Sequence, residues 1–395
     1  MLRTTPFHAR TAPLVQGWAY RRWAGYAVAS AYELSHEREY HAIRASAALF
    51  DISPLRKYEV RGRDAARLLD RVVTRDVRAL PPARVLYTPW CDGAGQVLDD
   101  GTIARRDETV FRMTCSEPNL RWLGENARGL EVEIEDVSER LAALALQGPA
   151  SRAILEAACD ASLGALGYFG LGRARLGGVG VEISRTGYTG DLGYEIWVEA
   201  EGALAVWDAL VDAGRAHALV PAGLLALDLA RLEAGLLLID VDYVPARKAL
   251  VPGQASSPFE LGLGWAVKLE KDFFVGKRAL EAEVRRDPSS RLAGLELEWE
   301  PLERLWSARG LAVRLPATVE RTSVPVYAGG RQVGYATTHG WSPLLKRYLA
   351  LAHLAARWAE PGTRVEMEVT VEHRRERCPA RVVKKPFYDP PRKRA

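Results

Sequence analysis

The chain has 395 residues, of which 48% are hydrophobic and 26% charged, and a formal net charge of +4. That length supports two or three domains with real cores, while the basic excess, partly owed to Arg392-Lys393-Arg394, is far from a nucleic-acid signature. Four scattered cysteines (Cys91, Cys115, Cys159, Cys378) without a CxxC pair, no HExxH, no membrane-length apolar run and no signal-peptide core at the N-terminus point to a cytoplasmic protein without a metal, nucleic-acid or membrane partner.

In chain order, residues 55–60 alternate weakly as a strand, and 64–73 place leucines at helical spacing behind Asp64, a candidate cap. The run Tyr87-Thr88-Pro89-Trp90-Cys91, a Gly93-Ala94-Gly95 turn and a strand over 97–104 bring Asp99 and Asp100 into view. Adjacent strand carboxylates point to opposite faces, so at most one faces a given cavity. Set against Tyr87 or Trp90, that one would be poorly solvated, a condition that suits a general base or a partner for a developing cation. The same residues also suit two surface carboxylates at the end of a hairpin.

Residues 141–146 form an apolar run closed by Gln147-Gly148-Pro149, followed by a helix over 151–159. The stretch 184–195, Ser-Arg-Thr-Gly-Tyr-Thr-Gly-Asp-Leu-Gly-Tyr-Glu, holds Gly187, Gly190 and Gly193, which let backbone turn sharply and approach a bound group. Tyr194, Ile196 and Val198 then alternate with Glu195, Trp197 and Glu199 as a strand. A turn feeding a carboxylate beside aromatics can cradle a flat heterocycle, and it can equally be a hairpin with Glu195 in water. A helix over 205–215 ends near Gly214, and 221–236 is a nearly all-apolar buried helix in which Asp228 and Arg231 lie three apart and can pair. Residues 243–260 carry three prolines and no period, as functional or disordered loops do. An apolar strand over 262–269 and a helix over 276–284 follow.

From about residue 290 the pattern is all-β: a strand over 292–299, a hairpin over 324–338 around Gly329-Gly330, and 364–371 paired with 378–384. The charged stretch 285–291 marks a boundary between domains 1–288 and 289–395.

Six strings in order, GQVLDDG, ALQGP, SRTGYTGDLGYE, PAGLLALDLARLEAG, FFVGKRAL and VVKKPFY, resemble the glycine-cleavage T-protein (aminomethyltransferase) superfamily from about Thr5 to Phe387. The resemblance implies an α+β folate-binding region of two intertwined ferredoxin-like units and a C-terminal all-β barrel domain around a central hole for tetrahydrofolate. It implies a transferase of one-carbon units. Asp100 is similar to the family's catalytic aspartate near the folate N5, which takes a proton or stabilises positive charge there. Glu195 resembles the carboxylate that receives the pteridine's 2-amino and N3–H donors, and Tyr87 and Tyr188 the aromatics of that slot. Asp99 is left a structural role.

The departures bear on the substrate. T-proteins usually carry an arginine immediately before the helix aspartate, where this chain has Leu227. The remaining Arg231 either meets the folate or is locked to Asp228. The segment after the helix looks longer and holds Tyr243, Arg247 and Lys248, more like the superfamily's folate-dependent O- and S-demethylases. A methyl-ether donor would need its leaving oxygen protonated, and the Tyr243 phenol can donate to it. Arg247 or Lys248 could hold a donor carboxylate, with Trp90 also on the donor side. The alternatives are an aminomethyltransferase acting on a lipoyl carrier protein and a non-catalytic folate-binding protein. The latter's Lys-Gly-Cys-Tyr motif is absent from Lys271-Asp272-Phe273-Phe274, and no GxGxxG is present for a flavin-linked oxidase.

Overall fold

Two of the three main sheets are built in alternation. The computed structural model describes residues 2–395. Ala47–Asp51 opens a six-stranded sheet, and the chain then leaves it to build a five-stranded one from Arg56–Arg61, Arg84–Cys91, Val97–Arg105, Val110–Cys115 and Glu133–Asp136. It returns with Leu141–Gln147, Leu171–Leu176, Val179–Ser184, Gly193–Glu199 and Leu219–Pro221. This interleaving, with helices on each sheet, is the expected pair of intertwined units. A closed six-stranded barrel follows, made of Ser290–Leu297, Val324–Ala328, Arg331–Ser342, Arg347–Ala355, Arg364–Val371 and Arg374–Val383.

Strand alternation gives each sheet two destinations for its apolar residues. Along Gly193–Glu199, Tyr194, Ile196 and Val198 join Val206, Trp207 and Leu210 of the helix Ala203–Gly214. Trp197 faces the other way, into a central core that also takes Cys91 and Val97 from the five-stranded sheet and Leu292, Leu349 and Leu351 from the barrel. The three modules therefore meet at one apolar joint.

Four local expectations change. Residues 262–269 are not a strand: Gly264–Ala266 is a single 3-10 turn, stitched locally by Leu261 N–H to Ser257 O (3.1 Å) and Ala266 N–H to Leu263 O (2.8 Å). Asp64 precedes the helix Ala65–Val72 without capping it, because its carboxylate accepts the Glu131 N–H at 2.9 Å. The buried helix is shorter, Leu224–Glu233, since Pro221 belongs to the preceding strand and Gly235 turns the chain with φ +63°. The barrel domain is not wholly β either: Trp299–Ser307 is a helix that buries Leu302 in the barrel core.

The helix Leu224–Glu233 carries three buried charges, and each is answered by a different part of the chain. Glu233 accepts from Arg44 (2.6 and 3.0 Å), the Tyr40 hydroxyl and the barrel's Ser342. Asp228 accepts from Arg231 at 2.8 Å and from Arg321 at 2.7 Å. Arg231, 0% exposed, donates further to Asp242, to Leu236 O (3.2 Å) and to Thr338 of the barrel (3.0 Å). Arg231→Leu would leave Asp242 a buried carboxylate without its cation, so unfolding free energy in denaturant should fall by about 3–5 kcal/mol. A fall below about 1 kcal/mol would show that the pair is not what holds this joint.

Candidate active site

The two acids of the 97–105 strand are separated by a bulge as much as by alternation. Trp90 pairs with Asp99 while Cys91 pairs with Val97, so Leu98 is the extra residue. Val97 therefore joins the central core, and beyond the bulge it is Asp100 that shares this face. Asp99 points to the opposite side, where it accepts N–H groups from Glu117 (3.0 Å), Asn119 Nδ2 (3.0 Å) and Asp100 (2.9 Å). Burial, reinforced by Asp100, pushes Asp99 up to about 8. Asp99 thus lies on the face opposite Asp100, as strand alternation predicts.

Asp100 is gripped by two phenols. Tyr87 donates to Oδ2 at 2.8 Å, and Tyr243, 3% exposed, donates to Oδ1. Burial raises the Asp100 carboxyl above the ordinary range, and the two hydroxyls pull it back. Both phenols lie well above their usual value, through burial first and Asp100 second, so they remain protonated donors. The structure thus brings together Asp100, Tyr87 and Tyr243. It also revises the part expected of Tyr243: its proton is directed at Asp100 and is not free for a leaving oxygen.

Glu195 stands on the six-stranded sheet, on the same face as Trp197, and so looks toward the central core. Thr186 donates to its Oε2 at 2.7 Å, whereas Oε1 has no hydrogen-bond donor among the described residues. Burial raises this acid too, against the Thr186 hydroxyl, the buried Arg112 and the Ser184 hydroxyl. Tyr188, packed against the central core, donates to Leu237 O. The glycines of this turn approach protein rather than leaving room for a ligand. A Cβ at Gly187 or Gly193 would lie 2.1 or 2.3 Å from the Gln147 side chain. Gln147 accepts from Thr189 at 2.8 Å and donates to Thr186 O at 3.2 Å, which sets the segment that holds Glu195.

Four expected contacts are not made. Trp90 is 0% exposed, on the Asp99 side in the core of the five-stranded sheet, with its indole N–H on Asn119 Oδ1 at 3.4 Å, so it offers no face to a donor. Arg231 is consumed by the ion pairs above and is not exposed to a cofactor. Arg247 donates to Pro118 O (2.9 Å) and Asn119 Oδ1 (2.6 Å), and Lys248 bridges Glu117 (2.9 Å) and Asp240 (2.7 Å). Those two cations clamp the 243–248 segment to the 117–119 turn, so their partners are already supplied and a substrate carboxylate is not needed.

Two residues of the site escaped the sequence reading. Asp242, next to Tyr243, is fixed by Arg231, Thr337, Thr338 and the Leu238 N–H, and these hold it below the usual carboxylate range. Trp265 stacks on Tyr87 with centroids 6.1 Å apart and planes 24° from parallel. The string Gly-Leu-Gly-Trp was read as strand, which hid it. Among the described residues no group of His, Cys, Asp and Glu could hold a metal ion. A cavity of about 280 Å³ on the barrel, bordered by Trp299, Trp341 and Arg381, shares no residue with this cluster.

Comparison with known proteins identifies the family. Family models match the GCVT N-terminal domain over residues 7–271 and the glycine cleavage T-protein C-terminal barrel domain over 308–389. An aminomethyltransferase of Bacillus subtilis is 35% identical over 361 residues, 90% of this chain and 91% of that protein. A trimethylamine-oxide aldolase of Ruegeria pomeroyi is 34% identical across 100% of this chain, which spans 48% of that longer protein. The glycine cleavage system aminomethyltransferase T of Bartonella henselae superposes with a TM-score of 0.83 at 25% identity, covering 98% of this chain and 99% of that one. The chain belongs to the glycine cleavage T-protein family. It is an enzyme of the transferase class.

The two phenols make a directional prediction. Each hydrogen bond lowers the Asp100 pKa, so Tyr243→Phe or Tyr87→Phe should raise it and move the acid limb of the kcat/KM profile to higher pH. A limb that stays in place in both variants would mean that Asp100 ionisation does not govern the rate.

Proposed function

We propose that this protein transfers a one-carbon unit between a small donor and tetrahydrofolate, with Asp100 as the group that takes a proton or balances positive charge at the accepting nitrogen. The observation that carries this reading is the presence of two half-buried acids facing the central core: Asp100, held by Tyr87 and Tyr243, and Glu195, whose Oε1 has no hydrogen-bond donor among the described residues. That donor set fits a reduced pterin: an acid with a free acceptor oxygen suits an edge of N–H donors, and Tyr87, Tyr188 and Trp265 supply aromatic surface. Tetrahydrofolate, when bound, supplies a nucleophilic nitrogen, N5. Asp100 acts as a half-buried carboxyl whose basicity is set by opposing effects: burial raises its pKa and the two phenols lower it. Tyr243 positions that carboxylate, and Asp242 positions Tyr243.

A methyl donor is the reading we favour, because the chain has Leu227 in place of a cation on the buried helix. An aminomethyl donor on a lipoyl carrier protein is the second reading, supported by the aminomethyltransferase relatives that cover 90% of the chain. We take 1–288 and 289–395 as the folate-binding and barrel domains, and the four free cysteines as the mark of a cytoplasmic location.

Asp100→Asn should lower kcat by about 10²–10⁴-fold while calorimetric affinity for tetrahydrofolate stays within a few-fold. Glu195→Gln should instead weaken that affinity by about tenfold or more, with the same donor. Incubation with methylated amines, aryl methyl ethers, sulfonium compounds and an aminomethyl-lipoyl carrier, followed by assay for 5-methyl- and 5,10-methylene-tetrahydrofolate, separates the donors. Absence of any affinity for reduced folate in the unaltered protein would overturn the proposal.

A further inference from the structure

A ladder of side chains runs outward from Asp100. Tyr87 donates to the carboxylate at 2.8 Å, Trp265 stacks on Tyr87 at 6.1 Å, and the Arg75 guanidinium lies 5.5 Å from the Trp265 ring centre. The outer rungs are unlike ordinary surface. Trp265 is 59% exposed although the central core is adjacent. Arg75 is half-buried, and among the described residues its guanidinium has no hydrogen-bond or ion-pair partner. The only influence resolved on it is desolvation, which lowers its pKa, with no carboxylate in compensation. Exposed arginines elsewhere in this chain find acids readily; Arg78, three residues on, sits 3.6 Å from Asp70.

The backbone that carries the unpaired cation is well anchored. Thr74 donates to Ala266 O at 2.8 Å, the Lys268 N–H reaches Thr74 O at 3.0 Å, and Lys271 Nζ donates to Arg75 O at 2.8 Å. The backbones that carry Arg75 and Trp265 are thus stitched to one another. A guanidinium beside an open indole presents a planar fork of N–H donors next to an aromatic face, an arrangement suited to a carboxylate on a flat-bodied ligand.

We propose that Arg75 and Trp265 form an outer subsite for a carboxylate borne by a ligand whose other end reaches Asp100. This rests on the folate reading above. Two ligands of the reaction can carry such a group: the glutamyl tail of the folate or an acid group on the donor. The subsite lies two stacking distances beyond Tyr87, a reach that suits the longer molecule, the folate.

The test compares tetrahydrofolate with tetrahydropteroate, which lacks the glutamate, by anaerobic calorimetry on the full chain. The unaltered protein should bind tetrahydrofolate about tenfold more tightly, Arg75→Ala should bind both forms alike, and Arg78→Ala should behave as the unaltered protein. A donor arm measures KM for an aryl methyl ether carrying a carboxylate against its neutral amide. If Arg75→Ala raises only the acid's KM, by about tenfold, and leaves both folates unchanged, the subsite stands and the carboxylate is the donor's. Retention of the full folate preference together with an unchanged donor KM in Arg75→Ala overturns the subsite. Loss of binding of both pterins by the unaltered protein would instead refute the folate reading itself.

Discussion

The site depends on the cost of burying charge on one helix. Leu224–Glu233 is packed on all sides, yet it carries Asp228, Arg231 and Glu233 into that packing. A charge there is tolerable only where an opposite charge and hydrogen bonds meet it. The partners come from separated places: Arg44 from the helix Glu37–Ala45, Asp242 from the following loop, and Thr338 and Ser342 from the barrel. Satisfying one helix therefore ties the barrel to the unit built on the six-stranded sheet. It also fixes Asp242, and the next residue, Tyr243, then reaches Asp100 from the opposite side. The path from the helix charge to the carboxylate of the candidate site is Arg231, Asp242, Tyr243, Asp100, with only one peptide link in the chain of contacts.

Much of this was readable before the fold was known, in proportion to how local the cause was. Strand alternation separated Asp99 from Asp100, and helical spacing put Asp228 beside Arg231, because both rules act over three residues or fewer. The hairpin at Gly329-Gly330 was legible for the same reason: both glycines take positive φ, 54° and 77°, as a two-residue turn between antiparallel strands demands. The bulge at Leu98 was not legible, since nothing in Val-Leu-Asp-Asp announces that two residues will oppose one, and it is the bulge that gives Asp100 the central face.

What stayed hidden was settled by distance in the chain. Arg247 and Lys248 look like free cations in a patternless loop, and only the fold reveals that Glu117, Pro118 and Asn119 are waiting for them. Trp90 has the composition of a binding residue, but its parity in the strand Arg84–Cys91 sends it to the Asp99 side. Gln147 was visible inside ALQGP, although its use as a filler of the space left by Gly187 and Gly193 needed the packing. The glycines of that motif serve the protein's own contacts first, and through Thr186 they serve Glu195.

The two acids of the site are consequently held in different ways and suited to different work. Glu195 keeps one oxygen bound by Thr186 and leaves the other without a donor among the described residues, an arrangement that suits recognition of N–H groups. Asp100 has both oxygens bound by phenols that stay protonated, so its half-buried carboxyl is met by two oriented dipoles. Water would dissipate the second effect far more than the first, since recognition survives partial solvation and a fixed field does not. That difference accounts for the aromatic wall on the Asp100 side, where Tyr87 and Trp265 stack between the carboxylate and solvent, while the Glu195 side is built from hydroxyls and an amide.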